Sequence, residues 1–137
     1  MNKISDRELC LLAVSARENS YCPYSRFAVG AALLCQSGKV YTGSNIENAS
    51  FTPTVCAERV AFFKAVSEGE REFLKIAVAG ARDGETVSTH TAPCGVCRQV
   101  MAEFCTDEFE ILMPYGEKIK TVTLKEILPE RFDKTNL

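Results

Sequence analysis

Two short segments, residues 56–59 and 93–99, carry the residue types and the spacing of a metal site. Each places a cysteine in the first turn of a predicted helix, where the partial positive charge and free N–H groups of the terminus stabilise a thiolate. Cys94 and Cys97 are three positions apart, so one helical turn brings both sulfurs to the same side. Cys56 adds a third sulfur if the two helix termini converge. The pattern therefore predicts a zinc site with three cysteine ligands.

The number of ligands separates a catalytic site from a structural one. Structural zinc is usually closed by four protein ligands, whereas catalytic zinc has three and keeps a position for water. Glu58 follows Cys56 by two positions, in the same predicted helical turn, so its carboxylate could reach that water. A carboxylate beside activated water is what general acid–base catalysis needs. We therefore predict Glu58 as the catalytic residue.

Arg59 gives an independent indication of a charged site. It falls within an apparent buried stripe of the second helix, whose other members are Val55, Phe62, Phe63 and Val66. A guanidinium at a buried position needs anionic partners, because its desolvation is costly. Three thiolates on Zn²⁺ leave one formal negative charge, which Arg59 could offset by donating hydrogen bonds to the sulfurs.

The cysteine pattern also has other interpretations. A single Cys-x-x-Cys segment is common in thiol oxidoreductases, where Cys94 and Cys97 would cycle through a disulfide, and in structural zinc modules. Gln99 is a weaker candidate for contact with the sulfurs. Cys10 and Cys35 lie in apolar settings and are expected in the core, Cys22 and Cys105 are expected to be structural, and His90 is expected on a surface loop.

The composition is that of an ordinary globular domain. The chain has 137 residues, 46% hydrophobic and 25% charged, with a net charge of -2. The slight acidic excess argues against nucleic acid as a partner, and we expect neither a membrane span nor a signal peptide. Seven cysteines without a secretion signal indicate a reducing compartment rather than a disulfide framework, so we expect a cytoplasmic protein.

The segments that must position these residues alternate between helical and strand patterns. We expect helices at 5–19, from an N-cap at Thr54 to 67, from Pro93 or Cys94 to 105, and around 124–128, with strands at 27–34, 39–45, 73–81, 109–113 and 119–122. Apolar strands in strand–helix–strand units predict a partly parallel sheet with helices on both faces. The predicted fold is thus α/β: one domain over residues 1–137, a three-layer α-β-α sandwich with a mixed five-stranded sheet.

These motifs resemble the cytidine deaminases, in the small homotetrameric branch with three cysteines on zinc. The likeness covers nearly the whole chain, from residues 24–32 through 45–48 and both cysteine segments to 127–129. It implies one Zn²⁺ per subunit, held by Cys56, Cys94 and Cys97. It also implies that Glu58 passes a proton from water to N3 of a pyrimidine and later to the departing amine.

The resemblance further implies a set of substrate contacts. Phe27 would pack against the base, Asn45 and Glu47 would bond the ribose hydroxyls, and the Ala57 backbone would meet the base edge. Phe132 matches a C-terminal aromatic that reaches the base from a neighbouring subunit. Phe51 stands where many relatives have tyrosine, so any hydrogen bond made by that hydroxyl is lost here.

The implied activity is the deamination of free cytidine and deoxycytidine in pyrimidine salvage, by a homotetramer with shared active sites. Blasticidin-type deaminases share the zinc signature and are the alternative. Glu47 favours a nucleoside, because a carboxylate there can accept hydrogen bonds from sugar hydroxyls.

Overall fold

A computed structural model describes residues 4–137, so residues 1–3, at the N-terminal end where no signal peptide is expected, lie outside the described part. The helices and strands in chain order are α1 (Asp6–Ala16) with a 3₁₀ turn (Arg17–Asn19), β1 (Phe27–Cys35), β2 (Val40–Ser44), α2 (Ala57–Ser67), β3 (Phe73–Arg82), α3 (Gly95–Phe104), β4 (Glu110–Tyr115), β5 (Lys118–Thr123), α4 (Leu124–Ile127) and a final 3₁₀ turn (Lys134–Asn136). Within residues 4–137, no helix combines the length and the apolar character needed to cross a membrane.

The five strands form one mixed sheet in the order β2-β1-β3-β4-β5. β1 is antiparallel to β2 and to β3, β3 and β4 are parallel, and β4 and β5 are antiparallel. The single parallel pair is joined through α3, as expected for a crossover connection. This arrangement confirms the predicted α/β class and the mixed five-stranded sheet.

Both faces of the sheet are covered, because successive residues of β1 are buried on opposite sides. Ala31 and Leu33 pack in one core cluster with α2 and α3, whereas Ala32 and Leu34 pack in a second cluster with α1. The continuous apolar run of this strand is therefore a consequence of burial on both faces. The first cluster is centred on Phe62, which is fully buried.

The predicted start of α2 is wrong. Thr54 does not cap the helix: its hydroxyl accepts a hydrogen bond from the Asn48 backbone at 3.0 Å and closes the preceding loop. The N-cap is Cys56, which has an extended backbone and makes no side-chain capping bond. A cysteine at this position directs its sulfur beyond the helix terminus, where the other cysteines lie.

The predicted buried stripe of α2 is also wrong, except at Phe62. The buried residues are Ala57, Glu58, Ala61, Phe62 and Ala65, and Phe63 is 50% exposed. Three alanines allow the helix backbone to approach the sheet closely, which a stripe of larger side chains would prevent. The helix is therefore rotated about its axis relative to the prediction, and in this orientation Glu58 points into the protein interior.

Gly43 in β2 makes the close approach possible. A Cβ atom at this position would lie 2.3 Å from the carbonyl oxygen of Ala57 and 2.8 Å from the backbone nitrogen of Ala61. Both neighbours are backbone atoms of α2, so no side-chain rotation could make room. Gly43 thus fixes the distance between the sheet and the helix that carries Glu58.

Gly43→Ala should therefore lower the free energy of unfolding by about 1–3 kcal/mol, because α2 must shift to accept the methyl group. Denaturant unfolding measures this loss. Gly95→Ala is the matched control, since a Cβ there meets nothing within 4 Å. Equal stability of the Gly43→Ala variant and the wild type would show that the helix can move freely.

Candidate active site

The N-termini of α2 and α3 converge and bring three cysteine sulfurs together. The Sγ atom of Cys94 lies 3.4 Å from that of Cys56 and 3.5 Å from that of Cys97. All three sulfurs are within 4.8 Å of one another. Tetrahedral zinc with Zn–S bonds of about 2.3 Å places its sulfurs roughly 3.8 Å apart, so this set fits a zinc ion.

Hydrogen bonding makes the sulfurs unequal in acidity. Hydrogen bonding with Cys97, and then with Arg59, lowers the pKa of Cys56 to about 5, although burial opposes the shift. The bond with Cys56, together with burial, raises the pKa of Cys97. These contacts favour the thiolate of Cys56, the form that binds metal.

Arg59 lies against the sulfur cluster. Its Nη2 atom donates to the Sγ atom of Cys56 at 3.4 Å. Its Nε atom is buried and has no hydrogen-bond partner among residues 4–137. A buried guanidinium with an unpaired N–H needs negative charge nearby, and additional thiolate character on the cysteines would supply it. The predicted place of Arg59 within the buried stripe of α2 is wrong, because the residue is only partly buried, and charge compensation by Arg59 stays a prediction.

Glu58 is a buried acid beside the cysteines. Its side chain is only 3% exposed, in a protein where other carboxylates lie mostly at the surface. Burial raises the pKa of Glu58 to about 7, and the negative charge of Cys56 adds to the shift. A carboxyl group that is near half-protonation at neutral pH can both accept and donate a proton.

A cleft of about 170 Å³ opens beside the cluster. Its lining residues come from four parts of the chain and include most of the predicted site: Val29, Asn45, Glu47, Thr54, Val55, Cys56, Ala57, Glu58, Thr91, Ala92 and Cys94. The structure thus brings Glu58 and two of the predicted ligands to one cavity with the predicted sugar contacts. Cys97 lies behind them and is buried.

The segment from Asn45 to Glu47 is held on both sides. The Ile46 backbone exchanges two hydrogen bonds of 3.0 Å with Val55, and the Tyr21 backbone bonds both Asn45 and Glu47. The side chain of Asn45 accepts from the Val29 nitrogen at 2.9 Å and donates to the Phe27 carbonyl at 2.8 Å. The Asn45 side chain and the Glu47 backbone are therefore fixed before any ligand arrives.

Phe27 begins β1 near the cleft and is partly exposed. Its ring lies against Gly80 of β3, where an added Cβ would be 2.9 Å from Phe27 Cε2 and 2.7 Å from the hydroxyl of Thr91. The absence of a side chain at Gly80 therefore lets the ring and Thr91 pack side by side.

Gln99 and Phe132 are placed by the C-terminal segment. The Gln99 amide is exposed and donates to the backbone carbonyl of Phe132 at 2.8 Å, so it anchors that segment instead of contacting the sulfurs as predicted. The Phe132 ring is 63% exposed. Arg98 holds the same region, donating to the carbonyls of Pro93 and Ile127, both at 2.8 Å.

The remaining cysteines lie apart from the cluster. Cys10, Cys22 and Cys35 are buried, as expected for the first and third, and Cys105 is partly buried. Burial raises the pKa of Cys10 to about 11 and that of Cys35 to about 12, so both are thiols. His90 is exposed on its loop, as predicted.

Two residues at or beside the cleft escaped sequence reasoning. Thr91 lines the cleft from a long loop, and nothing in the sequence indicates which residue of that loop contacts Gly80. Ser25 bonds Glu47, and its position two residues before a strand is a recognisable turn signal.

The α/β sandwich carries a cleft in which a buried carboxyl group lies beside three cysteine sulfurs. This arrangement is typical of hydrolytic enzymes that use a bound metal ion. The zinc-binding region of cytidine and deoxycytidylate deaminases matches residues 3–113, a span that includes both cysteine segments. The chain therefore belongs to the cytidine and deoxycytidylate deaminase family, whose members are hydrolytic deaminases with a characteristic dependence on zinc.

Individual relatives agree with this assignment. The cytidine deaminase of Sporosarcina psychrophila is 47% identical over 89% of this chain and 87% of its own length. The crystal structure of cytidine deaminase from Burkholderia pseudomallei has a TM-score of 0.85 and 42% identity, and the match covers 94% of this chain and all of that one. A blasticidin-S deaminase from Bacillus cereus is 30% identical over 96% of each chain. The predicted family and fold are confirmed.

Proposed function

We propose that this protein hydrolyses cytidine and deoxycytidine to uridine and deoxyuridine, with release of ammonia. The observation that carries the proposal is the buried Glu58 carboxylate beside three converging cysteine sulfurs in one cleft. Cys56, Cys94 and Cys97 would hold one zinc ion per subunit. When bound, zinc would supply the Lewis acidity that makes water a nucleophile at neutral pH.

In this proposal Glu58 moves the protons of the reaction. Its carboxylate takes a proton from the attacking water and delivers it to N3 of the pyrimidine as the new C–O bond forms at C4. Glu58 then takes the remaining proton from the new C4 hydroxyl and delivers it to the exocyclic amine, so that the C4–N bond breaks, a carbonyl forms at C4, and ammonia leaves. The pKa near neutrality and the burial of Glu58 support this double role, because one group must serve as base and then as acid.

The other cleft residues would bind the nucleoside. Phe27 would pack against the base, the Ala57 backbone would meet its edge, and Asn45 and Glu47 would bond sugar hydroxyls. The rigid hydrogen bonding of Asn45 and Glu47 supports these roles, since groups already held in place lose little freedom on binding.

A homotetramer with shared active sites would complete the cleft. Around its mouth, Tyr24, Phe27 and Phe51 expose aromatic surface, and the rings of Tyr24 and Phe51 meet edge to face at 6.2 Å. We propose that neighbouring subunits cover this rim and that one of them supplies Phe132. A stable and fully active monomer in sedimentation velocity would contradict this assembly.

We place this activity in pyrimidine salvage, in the cytoplasm, with the whole chain as one catalytic domain. A free nucleoside suits a cleft of this size. The alternative substrate is blasticidin S, supported by the more distant relative from Bacillus cereus. Glu47 lies at the cleft and favours a sugar that carries hydroxyl groups.

Direct comparison of the substrates tests the proposal. Purified zinc-loaded protein should decrease the absorbance of cytidine and release stoichiometric ammonia, and its kcat/KM for cytidine should exceed that for blasticidin S. Absence of cytidine turnover by metal-loaded protein would refute the proposed function. Higher kcat/KM for blasticidin S would establish the alternative.

Arg59→Met should weaken the metal site without removing a ligand. The substitution keeps an unbranched side chain that matches the apolar part of arginine but removes the donor to the Cys56 sulfur, so we expect a loss of about 10- to 100-fold in zinc affinity or in kcat. Competition with a chromogenic chelator and steady-state kinetics measure the two effects. Arg71→Met is the control, because that guanidinium bonds the backbone carbonyls of Val66, in the last turn of α2, and of Glu70, at the helix end remote from the sulfurs. Wild-type values for both quantities would contradict the proposed charge compensation.

A further inference from the structure

The chain immediately before β1 makes a tight and strained turn. Arg26 has φ 61°, in the left-handed region that residues with a side chain seldom adopt. The turn is closed by a 2.9 Å bond from the Arg26 nitrogen to the Cys22 carbonyl, and the Arg26 carbonyl accepts from Asp83 at 2.7 Å. Since Phe27 follows directly, the conformation of this turn determines the backbone position from which the Phe27 side chain extends.

A single hydroxyl connects this turn to the cleft. Ser25 Oγ donates to Glu47 Oε2 and accepts a hydrogen bond from the Phe27 nitrogen at 3.0 Å. The other oxygen of Glu47 accepts from the backbone nitrogens of Tyr24 at 2.9 Å and Ser25 at 3.1 Å. The carboxylate is thus a cap for the turn, and among residues 4–137 only the side chain of Ser25 bonds both Glu47 and the Phe27 backbone.

We propose that Ser25 is a positioning residue for the cleft, because its hydroxyl orients the Glu47 carboxylate and the start of β1 as one unit. The proposal rests on the proposed function, in which Glu47 bonds the sugar and Phe27 packs on the base. The bonds leave one lone pair of Glu47 Oε2 free, so the rotamer fixed by Ser25 decides where a sugar hydroxyl can bind.

The electrostatics of Glu47 agree with this role. Burial opposes ionisation, but the bonds from Ser25 and Tyr24 outweigh it and lower the pKa of Glu47. Hydrogen bonds to an ionised acceptor are stronger than bonds between neutral groups, so the loss of one donor should raise the pKa of the Glu47 carboxyl group. Serine suits the position because a hydroxyl can donate and accept at once.

The chain offers a matched control at the opposite end of β1. Ser37 Oγ donates to Glu70 Oε2 at 3.0 Å and accepts from the nitrogen two residues later, that of Lys39, at 3.3 Å. This is the same bonding pattern in another turn, away from the cleft. A general effect of losing a serine–glutamate bond should therefore appear equally in Ser37→Ala.

The test is a double-mutant cycle with Ser25→Ala and Glu47→Gln in the zinc-loaded enzyme. We expect Ser25→Ala to lower kcat/KM for cytidine by about 10- to 100-fold, the range expected for a lost bond to a charged group. The same change in the Glu47→Gln background should cost less than about threefold, and Ser37→Ala should leave kcat/KM unchanged. Ser25→Thr, which keeps the hydroxyl, should recover most of the activity. Where Ser25→Ala does not fold, Ser25→Cys retains the size of the side chain and replaces it in the cycle.

A second measurement does not depend on turnover. The ¹³C chemical shift of the Glu47 carboxyl, followed against pH, should give a higher pKa in Ser25→Ala than in the wild type and an unchanged pKa in Ser37→Ala. Wild-type kcat/KM in Ser25→Ala, an equal loss in both backgrounds, or an unshifted Glu47 titration would overturn the positioning role. If the wild type does not turn over cytidine, the proposed function fails, and the carboxyl titration still decides whether Ser25 orients Glu47.

Discussion

Glu58→Gln should give a folded, metal-loaded protein that turns over cytidine about 10³- to 10⁴-fold more slowly than the wild type. Glutamine has almost the same shape as glutamate but cannot take or give a proton at neutral pH, so both proposed proton transfers are lost. The side chain is buried beside Cys56 and Cys97, and the neutral amide fits the same space. Single-turnover and steady-state kinetics, with metal content measured on the same samples, report the effect.

Glu68→Gln is the matched control for this prediction. Glu68 caps the opposite end of α2 and accepts a hydrogen bond from the Tyr41 hydroxyl at 3.2 Å, which a glutamine carbonyl can also accept. We expect wild-type turnover from it. If Glu58→Gln retained more than about a tenth of the activity, Glu58 would not be the acid–base group, and a structural metal module would become the better interpretation.

Cys97→Ser should abolish metal retention and, with it, activity. Cys97 is almost fully buried and supplies the innermost of the three sulfurs, so its loss leaves two ligands at the termini of separate helices. The decrease in metal affinity should exceed the roughly 100-fold typical of losing a group that only contacts a ligand. Elemental analysis after dialysis against a chelator measures it directly.

The same variant should also lose stability that depends on metal. An ion that binds only the folded state raises the stability of that state by mass action. The wild type should therefore have a higher melting temperature with zinc than after chelation. Cys97→Ser should show no such difference. Cys105→Ser is the control, because Cys105 ends α3 at the helix terminus remote from the cluster. Full metal retention by Cys97→Ser would refute the three-cysteine site. A reversible disulfide between Cys94 and Cys97 that supports redox activity in the metal-free wild type would favour the alternative function, a thiol oxidoreductase.

The local patterns were sufficient for most of the secondary structure. The capping box of Ser5 and Glu8 starts α1, and the long apolar run beginning at Phe27 is a strand buried on both faces. These features depend on interactions within a few residues, so the sequence contains nearly all the information needed to predict them.

Predictions on α2 failed where the local signal was ambiguous. Thr54 has the side chain of an N-cap, yet it bonds the Asn48 backbone, and the helix starts three residues later. A periodic pattern counted from Val55 placed Phe63 in the core, whereas close packing against Gly43 selects the alanine face. The rotation of a helix about its axis is decided by the surface that it packs against, which lies elsewhere in the chain.

Residue types and their spacing were enough to identify the chemistry of the site: which cysteines lie at helix termini, which carboxylate accompanies them, and which family these motifs resemble. Three contacts became known only from the folded chain: Cys56 meets Cys94 and Cys97, Arg59 Nε is buried without a partner among residues 4–137, and Ser25 bonds Glu47. The physical reason is distance along the chain. Bonding between neighbouring residues follows from their types, whereas contacts across tens of residues exist only after the sheet has set the relative positions of its strands and helices.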